Sequence, residues 1–233
     1  MSHLPLPSES AHRLEVLEDP QQIVSGALEA FKGRIAVMSS FGTEAAVLLH
    51  MVATIDPSVP VLFLNTGKLF GETLRYRDAL AGQLGLTDVR DIRPNASAVA
   101  ERDPEGLLFT TDPDACCALR KVEPLRDVMR PFEALLTGRK RVHGGLREDL
   151  PVVEVTDDHV KINPLASMTG EDVATYLAVH DMVKHPLVAD GYLSVGCYTC
   201  TTPTAPGEGV RSGRWRGQEK TECGIHLAPL RTT

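Results

Sequence analysis

No apolar run in the chain approaches the roughly 18 residues that a membrane span needs. The opening stretch MSHLPLPSESAHRLEVLEDP lacks the charged-then-apolar order of a secretory signal. The expected setting is the cytoplasm, with no membrane partner. Basic charge is not in excess either: the formal net charge is -7, which argues against nucleic-acid binding but leaves room for a local pocket that takes a small anion. There is no internal repeat, no low-complexity segment and no G-x-x-x-x-G-K-[ST] phosphate loop. His143, His159, His180 and His185 show no metal-like spacing. Cysteine is scarce and odd in number. Cys116, Cys117, Cys197, Cys200 and Cys223 are clustered where a disulfide framework is usually scattered. In a reducing compartment such a set points to metal binding or redox chemistry.

What is present suits one α/β domain. The 233 residues, 42% of them hydrophobic, are enough to bury a core. Residues 1–19 read as a loose polar arm. Asp19-Pro20 then caps a helix running to about Phe31. Ile35-Ala36-Val37-Met38 reads as a buried strand, Ser39 to Glu44 as a tight loop, and Ala45 to Ile55 as a helix. Val61 to Leu64 is a second strand, and Glu72 to Leu84, with Gly85 beyond it, a second helix. This alternation predicts a parallel sheet with helices on its faces. Thr87 to Arg93 is a weaker strand, and residues 94–114, with Pro94, Pro104 and Pro113, read as a long irregular connection. A helix starting near Asp114 carries Cys116, Cys117, Arg120 and Lys121, and Pro124 leaves its continuation open. Strands follow at Ala134 to Leu136 and Val152 to Val155, with an edge strand at Val160 to Ile162. Thr169 opens a last helix with Val173, Tyr176, Leu177 and His180 on one face. From Cys197 onward glycine, proline and threonine predict a flexible C-terminal arm.

Three constellations carry chemistry. In an open parallel sheet, ligands bind beyond the carboxyl ends of the strands, where helix N-termini favour phosphate. Ser39, Ser40, Gly42 and Thr43 occupy such a place, although the same residues also suit a plain strand-to-helix turn. The second constellation is Cys116-Cys117 with Cys197-x-x-Cys200. Adjacent cysteines on a helix point about 100° apart, which suits the separate corners of an iron-sulfur cluster better than the single point of a zinc ion. Zinc and buried unliganded thiols stay open as alternatives. The third is a set of cations. Lys121 lies one turn from Cys117, Arg139, Lys140, Arg141 and Arg147 crowd a glycine-containing loop, and Arg211 and Arg214 stand three apart near the C-terminus. Cations beside a thiol favour the thiolate, so Cys223, which follows Arg211, Arg214, Trp215, Arg216 and Lys220, is the candidate nucleophile.

Together these residues resemble the sulfonucleotide reductases, specifically the assimilatory adenylyl-sulfate reductases, over about residues 33–227. The motifs are SSFGTEA (39–45), LNTG (64–67), CCALRKVEPL (116–125), TGRKRVHGG (137–145), HPLVADGYLSVGCYTCT (185–201), GRW (213–215) and KTECGIH (220–226). Two positions depart from the family pattern: Asn65, where aspartate is common, and Met168, where tryptophan often follows. The resemblance implies an adenine-nucleotide alpha-hydrolase-like fold. It divides the chain into a polar arm at 1–19, a nucleotide- and cluster-binding domain at 20–200, and a C-terminal arm at 201–233. It implies thioredoxin-dependent reduction of adenosine 5'-phosphosulfate to sulfite and AMP, in sulfate assimilation and cysteine biosynthesis. Cys223 would be the nucleophile, with His226 positioning or tuning it or docking thioredoxin. Ser39, Ser40, Gly42, Thr43, Thr66 and Gly138 would meet the nucleotide. Lys121, Arg211 and Arg214 would hold the phosphosulfate, with Arg139, Arg141 and Arg147 as further partners. Cys116, Cys117, Cys197 and Cys200 would ligate a [4Fe-4S] cluster. Family members are often homo-oligomers. Reduction of the 3'-phosphorylated substrate, a zinc-stapled nucleotide-binding protein and an ATP pyrophosphatase are the alternative readings.

Overall fold

A computed structural model describes residues 8–156, 159–218 and 220–226. Its centre is a six-stranded sheet in the order β3-β2-β1-β4-β6-β5. These strands span Ile35–Ser39 (β1), Val61–Leu64 (β2), Val89–Ile92 (β3), Ala134–Thr137 (β4), Val153–Val155 (β5) and Val160–Ile162 (β6). All pairs are parallel except β5 with β6. β1, β2 and β4 are buried along their whole length, as expected for continuous apolar runs covered on both faces. The sheet's edges are β3 and β5, not Val160 to Ile162 as the sequence predicts. β6 instead lies between β4 and β5, which explains why all three of its residues are buried.

Alternation along the strands builds two cores. Ile35, Val37 and Phe63 face one side and pack with Ile23 and Val24 of α2 (Pro20–Ala30), Val47 and Leu48 of α3 (Ala45–Ala53), Tyr76 and Leu80 of α4 (Gly71–Leu84) and Val173 of α9 (Gly170–Val179). Asp19 accepts the Gln22 N–H at 2.8 Å to start α2, and Thr169 with Asp172 forms a reciprocal capping box on α9. On the opposite face, Ala36, Met38, Leu62 and Leu135 pack with Cys117, Val122, Leu125 and Met129, and with Trp215, Cys223 and Ile225.

That second face accounts for three departures from the sequence reading. First, the segment read as irregular holds α5 (Ala96–Arg102) and α6 (Leu108–Thr111), started by Asn95, whose side chain accepts from Ala98, and by Leu107 respectively. The prolines there flank helices instead of breaking them. Second, the cysteine helix runs on: α7 (Pro113–Cys117) passes through a π-type turn at Ala118–Val122 into α8 (Glu123–Val128). A wider turn lets the chain carry Pro124, which has no N–H to donate. Third, the C-terminal segment is folded over its described part. Thr202 N–H donates to Gly213 O at 2.8 Å, Trp215 N–H donates to Cys200 O at 3.0 Å, and Trp215 is 3% exposed. Burying an indole of that size is worth several kcal/mol, about 3–5 when it is truncated to alanine. At the other end, residues 8–15 of the expected loose arm form α1 (Ser8–Glu15), with Leu14 in the first core.

Among the described residues no helix is long and apolar enough to cross a membrane. His185, unassigned in the sequence, is structural. Its Nδ1 accepts the Leu187 N–H at 3.3 Å, so the neutral ring carries its proton on Nε2, 3.1 Å from Thr73 Oγ1 of α4. Burial holds its pKa down to about 4, partly opposed by Glu72. A depressed histidine pKa favours the folded state above the ordinary value of 6.5, and that contribution is lost as pH falls from about 6.5 through about 4. Urea unfolding midpoints are therefore expected to rise with pH across that window. In His185→Gln the rise should be shallower, and an unchanged slope would contradict the assignment.

Candidate active site

The sheet order reverses direction between β1 and β4, the place where open α/β sheets bind ligands. A cavity lies there, at the strands' carboxyl ends. One wall is the loop after β1. Ser39 Oγ accepts the Phe41 N–H at 3.1 Å, and Phe41 takes a left-handed φ of 47°. Its ring, fully buried edge-on against Phe63 at 5.4 Å, holds that strained conformation. The loop thereby presents Ser39, Ser40, Gly42 and Thr43 to the cavity, and Thr43 Oγ1 ties it to Leu193 O at 2.8 Å. Gly138, just past β4, lines the same space.

The opposite wall comes from the cysteine helix and the tail. Lys121 Nζ lies 3.6 Å from Cys223 Sγ, and Arg211, Arg214 and His226 line the cavity with them. Arg214 and Arg211 stack on Trp215 at 4.5 and 5.6 Å, which fixes both guanidinium groups. Gly196 makes room: a side chain there would meet Arg214 at 2.4 Å. Cys223 is 7% exposed, yet its thiol is held well below its ordinary pKa. The cause is first a hydrogen bond from the Cys117 thiol, then, against burial, the charges of Lys121 and Arg214 and the Ile225 N–H. Cys117 is pushed up by the same hydrogen bond and by burial. Burial acts to discharge Lys121, but the charges of Cys223, Cys197 and Cys117 outweigh it and raise its pKa. His226 is held neutral by burial and by Arg139, and among the described residues its buried Nδ1 has no hydrogen-bond partner. Arg214 Nε is likewise unpartnered. Orphaned polar atoms in a cavity suit a ligand that is not part of the chain.

Not every predicted residue reaches this space. Arg141 donates from Nε to Leu150 O at 2.8 Å and is absent from the cavity lining. Arg139 lines it but is ion-paired with Glu154, and Arg147 lines it but is ion-paired with Glu222. Thr66 lines it with its hydroxyl turned to Cys197 Sγ at 3.2 Å. Asn65 and Met168, the two departures from the family pattern, both lie outside the lining. Asn65 shapes a turn by accepting the Gly67 N–H at 3.2 Å, and Met168 belongs to the first core.

Four ionisable residues of the cavity, Glu44, Lys140, His143 and Glu222, were not assigned to the site from sequence. Glu44 accepts from Lys140 at 3.0 Å and contacts His143 at 3.1 Å, while Arg147 joins His143 Nδ1, at 3.2 Å, to Glu222. Burial would raise the Glu44 and Glu222 carboxyls, yet hydrogen bonds from His143 and Arg147 respectively, with neighbouring cations, hold each at about 2. Lys140 and His143 were signalled by the crowding of charge at 139–147, and Glu44 and Glu222 lie inside the motifs at 39–45 and 220–226.

Cys116, Cys117 and Cys197 are buried, Cys200 is half-buried, and all five cysteines are unpaired. Burial pushes the Cys116 thiol up, Arg120 pulls it down, and Cys197 and Cys200 are near enough to push it up again. Among the described residues no three Cys, His, Asp or Glu side chains converge as ligands of one ion. The four thiols reach this region from two segments and are donors of the kind that soft metal centres use. Arg120, 8% exposed, braces this region by bonding Asp103 at 2.6 Å and Thr66 O at 2.9 Å.

Comparison with known proteins agrees with this geometry. A family model described as phosphoadenosine phosphosulfate reductase domain matches residues 34–203. The adenosine 5'-phosphosulfate reductase of Mesorhizobium japonicum is 52% identical, over 91% of this chain and 84% of the relative. That of Rhodococcus opacus is 40% identical, over 94% and 90%. Among solved structures, a phosphoadenylyl-sulfate reductase from Candida auris superposes with a TM-score of 0.71 at 24% identity, covering 86% of this chain and all of that one. Yeast FAD synthetase superposes with 0.54 at 15% identity, covering 87% and 70%. These two share the fold alone, a mostly parallel α/β sheet.

Gly213 precedes Arg214, and a side chain on it would meet Thr202 O at 2.1 Å. Backbone cannot yield as a side-chain tip can, so Gly213→Ala is expected to lower stability by about 1–3 kcal/mol. Urea unfolding measures this, and a change below a few tenths would show that the tail does not pack as described.

Proposed function

The chain belongs to the phosphoadenosine phosphosulfate reductase domain family, an oxidoreductase family acting on sulfur, and we propose that its own reaction is thioredoxin-dependent reduction of adenosine 5'-phosphosulfate. The observation that carries this reading is Lys121 Nζ at 3.6 Å from a buried Cys223 thiol, in a cationic cavity at the sheet's switch point. The sulfur of a sulfonucleotide is electrophilic but ringed by anionic oxygens. A thiolate reaches it only where fixed cations mask those charges.

The nucleotide lies along the Ser39 to Thr43 loop and Gly138, with its phosphosulfate toward Lys121, Arg211 and Arg214. Cys223 Sγ attacks the sulfate sulfur, a sulfur-sulfur bond forms, and the bond from sulfur to the bridging phosphate oxygen breaks. AMP leaves with that electron pair, and the cations that held the phosphosulfate meet the developing charge. The S-sulfocysteine is then reduced by a dithiol of thioredoxin type. One thiolate of that reductant attacks Cys223 Sγ and expels sulfite, and its second thiol resolves the mixed disulfide, restoring Cys223 and oxidising the reductant by two electrons. His226 borders the nucleophile and positions or tunes it.

Cys116, Cys117, Cys197 and Cys200 would hold a [4Fe-4S] cluster. When bound, it supplies fixed charge beside Lys121 and joins the cysteine helix to the segment before the tail. With Cys117 as a ligand of the cluster, Lys121, Arg214 and the Ile225 N–H would remain as the partners that favour the Cys223 thiolate. The complete four-cysteine set and the names of the relatives favour the unphosphorylated nucleotide. Unpaired thiols suit a reducing cytoplasm.

Cys223→Ser should lose sulfite formation by about three orders of magnitude or more while still binding AMP. Sulfite release in the presence of thioredoxin measures it. Activity retained in that variant would contradict the mechanism and favour adenylating chemistry. Iron and acid-labile sulfide assays are expected to find both in the purified protein, and zinc without sulfide would contradict the cluster.

A further inference from the structure

Glu222 is 5% exposed and immediately precedes the nucleophile. A buried carboxylate needs partners, and this one has three: the Cys223 N–H at 2.9 Å, Arg147 Nη2 at 2.9 Å and Arg211 Nη2 at 3.4 Å. The two Arg147 nitrogens that reach it, Nε and Nη2, meet its two oxygens, the paired geometry that fixes orientation as well as distance. Arg211 also donates to Thr221 O at 3.1 Å, so the backbone is held on both sides of Glu222. Arg147 is tied in turn through His143 to Glu44, at the end of the loop that follows β1.

We propose that Glu222 is a positioning residue, clasped by Arg147 so that its carboxylate pins the Cys223 backbone and sets the thiol beside Lys121. The clasp rests on the reading of Cys223 as the nucleophile. It does not touch the sulfur and is not a catalytic residue. Its effect is to link the tail to the nucleotide loop, through Glu222, Arg147, His143 and Glu44. A tail held only by apolar packing would let Cys223 sample positions about 1 Å away, enough to slow a displacement about 10²-fold.

The test uses the full chain and two readouts. The first is alkylation of Cys223 by iodoacetamide in the absence of substrate, followed by peptide mass spectrometry. The second is the burst of AMP released from stoichiometric adenosine 5'-phosphosulfate with no reductant present. In Glu222→Gln, alkylation is expected to quicken about tenfold as the clasp opens, and the burst to slow about 10- to 100-fold. AMP affinity should fall less than the burst slows, since Glu222 lies on the tail wall of the cavity and not in the Ser39 to Thr43 loop. Glu222→Asp, which keeps the charge, should restore part of both effects. The double variant Arg147→Ala with Glu222→Gln should be no worse than the more severe single one, because both break one interaction. Wild-type alkylation and burst rates in Glu222→Gln, or effects that add fully in the double variant, would overturn the clasp. If Glu222→Gln does not fold, Glu222→Asp decides: rates equal to those of the wild type, with no detectable opening, would count against it. A wild-type protein that releases no AMP contradicts the sulfur-transfer reading, while the alkylation arm, which needs no substrate, still decides the clasp.

Discussion

Lys121 and Cys223 meet at 3.6 Å, the thiol buried and the lysine half-buried at the cavity wall. Two opposite charges about 4 Å apart attract by about 4 kcal/mol at the effective dielectric near a protein surface, and more in a drier site. Burial alone would discharge both groups; the Cys117 hydrogen bond and this attraction together favour a thiolate there. Its other supports follow from the same need. Arg214, whose own burial acts to lower its pKa, is stacked on Trp215 and given space by Gly196. The cavity is thus charged before substrate arrives, and its positive side faces the place where a leaving phosphate would gain charge.

The topology brings these groups together. Because the strand order reverses between β1 and β4, their carboxyl ends leave a crevice, and the second face of the sheet is free to receive the cysteine helix and the tail. The adjacent residues Arg120 and Lys121 then serve different partners. Arg120 holds Asp103 and the Thr66 carbonyl behind the thiols, and Lys121 faces the nucleophile. Trp215, Cys223 and Ile225 are core residues of that face, so the proposed nucleophile is held by the same packing that completes the fold.

The strands and main helices were legible because their signals are local. Four- and five-residue apolar runs ending in small polar loops read directly as buried strands. The motifs at 39–45, 116–125 and 220–226 pointed to the loop after β1, Lys121 and Cys223, and all three line one cavity. What could not be read depends on distant pairing. β6 looks like an edge strand until β5 is seen folding back antiparallel beside it. The helix at 96–102 was hidden by the surrounding prolines, although Asn95 is an ordinary cap. Arg141 and Arg147 look equivalent in a charge-rich loop, yet one turns to the Leu150 carbonyl and the other to Glu222. Glu44 finds His143 across 99 positions and Arg147 finds Glu222 across 75, separations that leave no periodic trace.

The central claim is that Cys223 itself takes the sulfo group. Incubating the protein with adenosine 5'-phosphosulfate in the absence of any thiol reductant, then mapping its peptides by mass spectrometry, tests this directly. The account predicts one sulfo group, on the peptide carrying Cys223 and removable by thioredoxin with release of sulfite. An unmodified Cys223 peptide, or a sulfo group on another cysteine, would contradict it.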